Sequence, residues 1–130
     1  MHDRPIPEQV RKALEEFTSM KEYAFVVEGI KDENALRSCG FDKKYIFLLT
    51  NGNETAATEI LGEKYKKAII LTDYDKSGYK REKSLKPCLI GHSIEVDDYQ
   101  RKHFHEIFRV ETIEEMKRYA KILELELYNS

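Results

Sequence analysis

Cysteine, proline and long apolar runs are scarce in this 130-residue sequence, and these shortages exclude several classes of protein. The two cysteines, Cys39 and Cys88, are too few for a disulfide framework, and neither stands in a metal-ligand pattern. No segment approaches the roughly 20 consecutive apolar residues of a membrane-spanning helix, and the polar first residues do not resemble a signal peptide. We therefore expect a reduced, cytoplasmic protein that makes no contact with a membrane.

Net charge is also nearly absent. The sequence has 22 Lys and Arg against 24 Asp and Glu, which gives a formal net charge of −2. With a net charge this close to zero, we do not expect a protein that binds nucleic acid through overall charge alone. Local acidic and basic regions are still compatible with this net charge. Because 41% of the residues are hydrophobic and one core serves about 100–200 residues, we expect residues 1–130 to form a single domain.

Three short apolar runs predict the strands of a sheet. Continuous apolar runs of four or five residues are typical of strands that are buried on both faces of a parallel sheet. A fourth, shorter strand is expected at Ser93–Val96. The three apolar runs are Tyr23–Val27, Tyr45–Leu49 and Ala68–Leu71.

Helical periodicity marks the segments between and around these strands. Helices are predicted at residues 7–22, 32–39, 53–62, 77–86 and 98–108, and the fourth continues past Pro87 only with a kink. A last helix is expected after Thr112, because Thr112 and Glu115 have the spacing of a capping box. Strands that alternate with helices predict an α/β fold: a compact, three-layer, Rossmann-like domain with a central, mostly parallel sheet of about four strands flanked by helices.

The predicted sheet and its helices fill a core at about residues 20–97, with helical flanks at 1–22 and 98–127. Both flanks are amphipathic. They either pack within the chain or join two copies into a homodimer, and the sequence leaves both arrangements open.

Acidic side chains follow two of the predicted strands. Glu28 comes directly after the first strand, and Asp73 and Asp75 come after the third. Ligands of an open parallel sheet bind outside the carboxyl ends of its strands, so these three carboxylates are expected at the ligand-binding edge. In extended backbone, Asp73 and Asp75 point the same way and repel each other unless a cation lies between them. Converging oxygen ligands without Cys or His suit Mg²⁺.

A simpler role is open to each acidic residue. An acidic residue after a strand more often forms a turn or caps a helix, and Glu28 alone would need no other explanation. That explanation is weaker for Asp73, Asp75 and Gly78 together. Asp32 either supports the site or caps the helix that follows it, and both readings stay open.

The segments after the three strands resemble the Toprim domain. They read Val27-Glu28-Gly29-Ile30-Lys31-Asp32, Asn51-Gly52 and Asp73-Tyr74-Asp75-Lys76-Ser77-Gly78. This domain is shared by topoisomerases, bacterial primases, recombination proteins and small nucleases such as the one that matures 5S ribosomal RNA. The resemblance covers about residues 20–97, and the remainder is similar to the small stand-alone Toprim proteins of archaea.

The resemblance implies Mg²⁺-dependent phosphodiester chemistry, with Mn²⁺ as a substitute. In the family, the residue that matches Glu28 is a general acid or base, and those that match Asp73 and Asp75 hold the metal, with Glu28 beside it. A nuclease that acts on structured RNA or DNA is the favoured function. The alternative is a non-catalytic module that binds nucleic acid or a ribonucleoprotein and retains the metal site. Supporting roles fall to Gly29, Asp32, Asn51, Gly52 and Gly78. Of these, Gly29 and Gly78 would let a substrate approach the backbone closely.

Basic residues near the acidic edge are candidates for phosphate contact. Lys76, Lys80 and Lys83 are spaced four and three apart, so they form one stripe on the helix after the acidic loop. Basic and aromatic residues also alternate between residues 99 and 109, which favours RNA somewhat over DNA as the partner. The remaining candidates for phosphate contact are Lys31, Arg101 and Lys102. A second basic group, Lys64, Lys66 and Lys67, is interpreted as a solvated loop at the opposite edge.

Overall fold

The computed structural model describes residues 7–49 and 54–122. The predicted site residues Asn51 and Gly52 lie outside the described residues, and so does Asn53, which the sequence suggests as the N-cap of the helix predicted over residues 53–62. No helix in the described part of the chain is long and apolar enough to cross a membrane.

Four parallel strands form one sheet in the order β2-β1-β3-β4. All three neighbouring pairs are parallel, so the predicted α/β fold with a central parallel sheet is confirmed. The strands are β1 (Tyr23–Val27), β2 (Ile46–Leu48), β3 (Lys67–Ile70) and β4 (Glu95–Val96).

Five α-helices and two 3₁₀ helices are found in the described residues. The α-helices are α1 (Pro7–Thr18), α2 (Ile30–Ser38), α3 (Glu54–Lys64), α4 (Lys76–Gly91) and α5 (Asp98–Phe108). One 3₁₀ helix, Lys43–Tyr45, leads into β2, and the other is Ile113–Tyr119. Helix α4 extends beyond its predicted end because Leu85 and Leu89, on either side of Pro87, are both fully buried.

The two faces of the sheet pack against separate layers of helices. Alternate strand residues point to opposite faces, as the strand geometry requires. Helices α1, α2 and α5 and the 3₁₀ helix Ile113–Tyr119 cover one face, and α3 and α4 cover the other. The first face carries Phe25, Val27, Ile69 and Leu71, and the second carries Ala24, Val26, Ala68 and Ile70. The predicted three-layer arrangement is thereby confirmed.

Two local predictions are wrong. The segment after Thr112 begins with the predicted capping box, in which Glu115 accepts from the Thr112 amide. It is, however, a 3₁₀ helix over residues 113–119, whose buried side chains recur at every third residue, at Ile113, Met116 and Tyr119. Helical spacing over residues 53–62 predicts a packing face made of Ala56, Ala57, Ile60 and Leu61. Ile60, however, is 52% exposed, and Thr58 is buried instead.

The aromatic contact between α1 and α5 makes a testable contribution to stability. Phe104 is fully buried, and its ring centroid lies 5.3 Å from that of Phe17 and 4.6 Å from that of Phe108. We expect Phe104→Ala to lower the free energy of unfolding by about 3–5 kcal/mol, measured by urea denaturation. The matched control is Tyr99→Ala on the same helix, where the side chain is 71% exposed. An equal loss in both variants would contradict this assignment of the core.

Candidate functional site

The candidate site lies at the topological switch point of the sheet, where the order in which strands are added reverses. The chain passes from β1 to β2 on one side and then returns to place β3 on the other side of β1. The carboxyl ends of β1 and β3 therefore flank the switch point, which is where open parallel sheets leave a crevice for ligands. Glu28 follows β1, and its Oε2 atom lies 3.5 Å from the backbone nitrogen of Asp73, which follows β3. The fold thus brings together these two acidic residues, which are 45 positions apart in the chain.

Asp32 belongs electrostatically to this edge and also caps α2. Its Oδ2 atom accepts a hydrogen bond from the Gly29 amide at 3.2 Å, at the start of α2. Burial raises the pKa of Asp32 to about 6, and the negative charges of Asp73 and Glu28 add to the rise. The capping role is therefore confirmed, and the supporting role of Asp32 in the site stays a prediction.

Asp73 is also held in surroundings that disfavour its ionised form. Burial raises the pKa of Asp73, and the charges of Asp75 and Glu115 raise it further. A hydrogen bond from Ile113 and the charge of Arg101 act in the opposite direction. Negative charge at this edge is thus only partly compensated by the chain itself.

The loop after β3 is fixed by backbone hydrogen bonds. Asp73 Oδ1 accepts from the Ile113 amide at 2.8 Å, and Asp75 Oδ1 accepts from the Gly78 amide at 2.8 Å as the N-cap of α4. Tyr74 lies between them, and its amide donates to the Glu111 carbonyl at 2.6 Å. The Oδ2 atoms of Asp73 and Asp75 accept no hydrogen bond from the described part of the chain. Each aspartate therefore keeps one oxygen for another ligand.

Gly78 is required by the packing of this loop. A Cβ atom at Gly78 would lie 1.8 Å from the carbonyl oxygen of Asp73, and Thr72 Oγ1 donates to the Gly78 carbonyl at 2.8 Å. The predicted role of Gly78 in substrate approach is thus corrected, because the chain's own backbone occupies the space. At Gly29 a Cβ atom would meet nothing within 4 Å, so space beside its backbone is open.

The predicted phosphate contact of Arg101 is wrong, because its guanidinium group is buried inside the domain. Arg101 is 4% exposed, and its Nη1 atom donates to the carbonyls of Ile70 and Thr72 at 2.8 and 2.9 Å. Its Nη2 atom donates to the Asp73 carbonyl at 3.2 Å. Its Nε atom lies 3.1 Å from Glu82 Oε1 on α4. The group is thus bound by three carbonyls and one carboxylate of the protein itself.

Arg101 donates hydrogen bonds to the end of β3 at a position where no neighbouring strand does so. The carbonyls of Ala68, Ile70 and Thr72 point toward the same side of β3, because the direction of strand carbonyls repeats every two residues. The Asp97 amide donates to the Ala68 carbonyl at 2.9 Å, but β4 ends at Val96 and offers no further amide. Arg101 satisfies the next two carbonyls instead, which a buried strand end requires.

The remaining basic candidates are accessible. All five are exposed, and none forms an ion pair within the described part of the chain. Their contact with phosphate stays a prediction. They are Lys31, Lys76, Lys80, Lys83 and Lys102. Leu85 and Leu89 are fully buried, which fits the predicted amphipathic character of α4.

The donor set of this edge fits a magnesium ion. In the described residues, no three His, Cys, Asp or Glu side chains are already arranged to hold a metal. Mg²⁺, however, commonly takes only one or two protein carboxylates and completes its shell with water and phosphate oxygens. The free Oδ2 atoms of Asp73 and Asp75 and the carboxylate of Glu28 are ligands of this kind. Burial, followed by the charges of Asp75 and Glu115, raises the pKa of Asp73, and a cation would offset the part that comes from these charges.

Three contributors to the site were missed at the level of sequence. They are the guanidinium group of Arg101, the buried ring of Tyr74 and the amide of Ile113. Of the three, only the burial of Arg101 could have been predicted from helical spacing. Arg101 stands three residues before Phe104 and seven before Phe108, so it lies on the same buried face of α5. Tyr74 stacks on His105 at 4.2 Å between ring centroids, a contact between distant segments that no local pattern encodes.

The fold and this edge define an α/β domain with an acidic cluster at the switch point of a parallel sheet. A UPF0292 protein of Thermococcus gammatolerans is 33% identical over 116 residues, which cover 88% of this chain and 77% of that protein. The chain therefore belongs to the UPF0292 family. No family model matches the sequence.

Two solved structures are similar to this fold. A putative protein from Aquifex aeolicus superposes with a TM-score of 0.68 and 25% identity, covering 86% of this chain and 98% of that one. The zinc-binding and RNA polymerase domains of the Aquifex aeolicus primase give a TM-score of 0.48 and 25% identity, covering 83% of this chain and 27% of that one. The second score is too low to support any inference.

Loss of the Arg101 guanidinium group should destabilise the protein strongly. Arg101→Met would leave Glu82 without its ion pair and two buried carbonyls without donors. We expect the free energy of unfolding to fall by about 3–5 kcal/mol in urea denaturation. Lys102→Met is the matched control on the neighbouring, exposed residue, with an expected change within about 0.5 kcal/mol. Similar stability of the two variants would refute the structural role of Arg101.

The raised pKa of Asp32 predicts a pH-dependent stability. Folding raises this pKa from 3.8 to about 6, so between these values the folded chain retains a proton that the unfolded chain releases. The stabilisation that protonated Asp32 contributes to the folded state is thus lost as pH rises from about 4 to about 6. Asp32→Asn keeps an acceptor for Gly29, and we expect it to raise the thermal midpoint by about 2–4 °C at pH 7 and by less at pH 4.

Glu59→Gln, at an exposed carboxyl of α3, controls for the removal of a surface charge in this comparison. Both variants are measured in a chelator at each pH. If Asp32→Asn raised the thermal midpoint more at pH 4 than at pH 7, the predicted direction of the pH dependence would be wrong.

Proposed function

We propose that this protein is a small nuclease of Toprim type that carries out divalent-metal-dependent phosphodiester chemistry on nucleic acid. The observation that carries the proposal is the meeting of Glu28 and Asp73 at the switch point between β1 and β3. The Toprim resemblance of residues 27–32 and 73–78 supports it, because those residues are the ones found at this edge.

Asp73 and Asp75 are the proposed ligands of Mg²⁺, with Glu28 beside them. When bound, the ion would supply charge neutralisation at phosphoryl oxygens and orientation of the attacking or leaving oxygen. The backbone amides of Ile113 and Gly78 each hold one oxygen of an aspartate, which leaves the other oxygen in a fixed position. The chain thus orients both carboxylates before any ligand arrives.

Glu28 is the proposed general acid or base. It is half-buried at the end of β1, beside the loop that follows β3, and it carries no ion pair within the described residues. A carboxylate in this position can accept a proton from an attacking water and return it to the leaving oxygen. Asp32, whose pKa is about 6, provides a second protonatable group at the same edge.

The exposed lysines supply the proposed contacts to the phosphate backbone. Lys31 is on the first turn of α2, next to Glu28, and Lys76 begins α4 directly after Asp75. Lys80 and Lys83 continue along α4 away from the acidic edge. On α5, Tyr99 and Lys102 are exposed, which supports RNA somewhat more than DNA as the substrate because splayed bases stack on accessible rings.

Metal-assisted binding without turnover is the second candidate function. It is favoured by the use of one oxygen of each aspartate on the protein's own backbone and by the lack of a ready three-ligand cluster in the described residues. A module of this kind would dock on nucleic acid or a ribonucleoprotein through the same edge.

Cleavage of labelled structured RNA and matching DNA, with Mg²⁺, Mn²⁺ or a chelator, tests the proposal. We expect cleavage only with metal, and a loss of about 10²–10⁴-fold in rate for Glu28→Gln, since general acid–base groups contribute that much. Asp73→Asn with Asp75→Asn should abolish the metal-dependent cleavage. The control is Glu59→Gln with Glu63→Gln, which removes two exposed acids from α3.

Unchanged cleavage in the Asp73→Asn, Asp75→Asn variant would refute the proposed Toprim-type active site. Metal-dependent binding that survives Glu28→Gln, with no cleavage of any substrate, would instead establish the second candidate.

A further inference from the structure

A pocket rich in lysine lies at the opposite edge of the sheet from the acidic site. It is formed by the segments that lead into β1, β2 and β3, so it lies at the amino ends of three adjacent strands. Its volume is about 680 Å³, which is within the range of ligand pockets. Five lysines and one glutamate, Glu22, line it together with two tyrosines. The lysines are Lys21, Lys44, Lys64, Lys66 and Lys67.

The positive charge of this pocket is largely uncompensated. Lys67 lies 3.9 Å from Glu95, and this is the one lysine of the five with an ion pair within the described residues. Lys64 stands in the last turn of α3, where a cation is favoured by the helix dipole. Neither Lys44 nor Lys66 has a carboxylate partner within the described residues. In a chain with a net charge of −2, this is a strong local concentration of positive charge.

Two aromatic rings are set among these lysines. The ring centroids of Tyr45 and Tyr65 are 6.3 Å apart, and the Tyr65 hydroxyl donates to the Lys44 carbonyl, which fixes one segment against the other. The ammonium groups of Lys21 and Lys44 lie 5.1 and 5.7 Å from the Tyr45 centroid. These two lysines are therefore held by a ring instead of a carboxylate, and their charge remains available to an anion.

We infer that this pocket binds single-stranded nucleic acid. Lysines that have no carboxylate partners would contact successive phosphates and release the counterions condensed on the strand. Tyr45 would stack on a base while the ammonium groups of Lys21 and Lys44 move to the adjacent phosphates. Rings interleaved with cations are the combination by which proteins bind unpaired strands, whereas the bases of a duplex are already stacked and unavailable to a ring.

The pocket does not depend on the chemistry proposed for the acidic edge. Lys67 and Asp73 are six residues apart in nearly extended backbone, so the two edges are separated by roughly 20 Å. A strand held at the lysine pocket therefore contacts neither the acidic side chains nor their metal unless it passes along the domain.

Fluorescence anisotropy with a short labelled single-stranded RNA, in a chelator and over a range of salt concentrations, tests the inference. For Lys44→Ala with Lys66→Ala, we expect weaker binding and a salt dependence of log K that is shallower by about 1.4, since each phosphate contact on a single strand contributes about 0.7. Lys12→Ala with Lys121→Ala is the charge-matched control, because both lysines are exposed and neither lines the pocket. Equal effects of the two pairs would overturn the inference.

The tyrosine is tested separately from the charge. Tyr45→Leu should weaken binding at least about fivefold, whereas Tyr45→Phe, which keeps the ring, should bind like the original protein. Thermal unfolding of each variant confirms that it is folded. Unchanged affinity in a folded Tyr45→Leu variant, or equally strong competition by a duplex, would overturn the single-strand assignment.

The same measurement in the chelator is made on Lys76→Ala with Lys80→Ala, which removes the phosphate contacts proposed beside the acidic edge. A loss of binding in that variant that exceeds the loss in Lys44→Ala with Lys66→Ala would place the strand at the acidic edge and refute the second site. Conversely, binding at the pocket with no metal-dependent cleavage would refute the nuclease alone, so the two proposals fail independently.

Discussion

The guanidinium group of Arg101 holds the carboxyl end of β3 in place, and the acidic edge depends on that contact. It donates to the carbonyls of Ile70, Thr72 and Asp73 where β4 has already ended, and it pairs with Glu82 on α4. One side chain therefore completes the hydrogen bonding of the strand, fixes the start of the acidic loop and ties α4 to α5. A buried charge is tolerated here because it is paired with Glu82 and hydrogen-bonded to three carbonyls.

The acidic loop is held from three directions. Arg101 binds its carbonyls, the Ile113 amide holds Asp73, and the missing side chain of Gly78 lets the first turn of α4 lie against the Asp73 carbonyl. These contacts come from α5, the 3₁₀ helix Ile113–Tyr119 and α4. The C-terminal segment is thus part of the site, because it supplies the amide and the negative charge of Glu115 that act on Asp73.

Opposite charges are separated at the two edges of one sheet. The amino edge gathers lysines around Tyr45, and the carboxyl edge gathers Glu28, Asp32, Asp73 and Asp75. A net charge near zero therefore conceals two strongly polar surfaces. Because a parallel sheet places all of its strand starts at one edge and all of its strand ends at the other, the residues before and after each strand are sorted automatically.

The strands, the parallel sheet and the position of Glu28 and Asp73 at its carboxyl edge could all be predicted from the amino-acid sequence. Periodicity and apolar runs are local properties, and parallel pairing brings the strand ends together without further information. The burial of Arg101, the internal packing around Gly78 and the 3₁₀ helix after Thr112 became evident from the three-dimensional fold. These outcomes depend on contacts between distant segments, such as Arg101 with β3, and local sequence patterns do not specify such contacts.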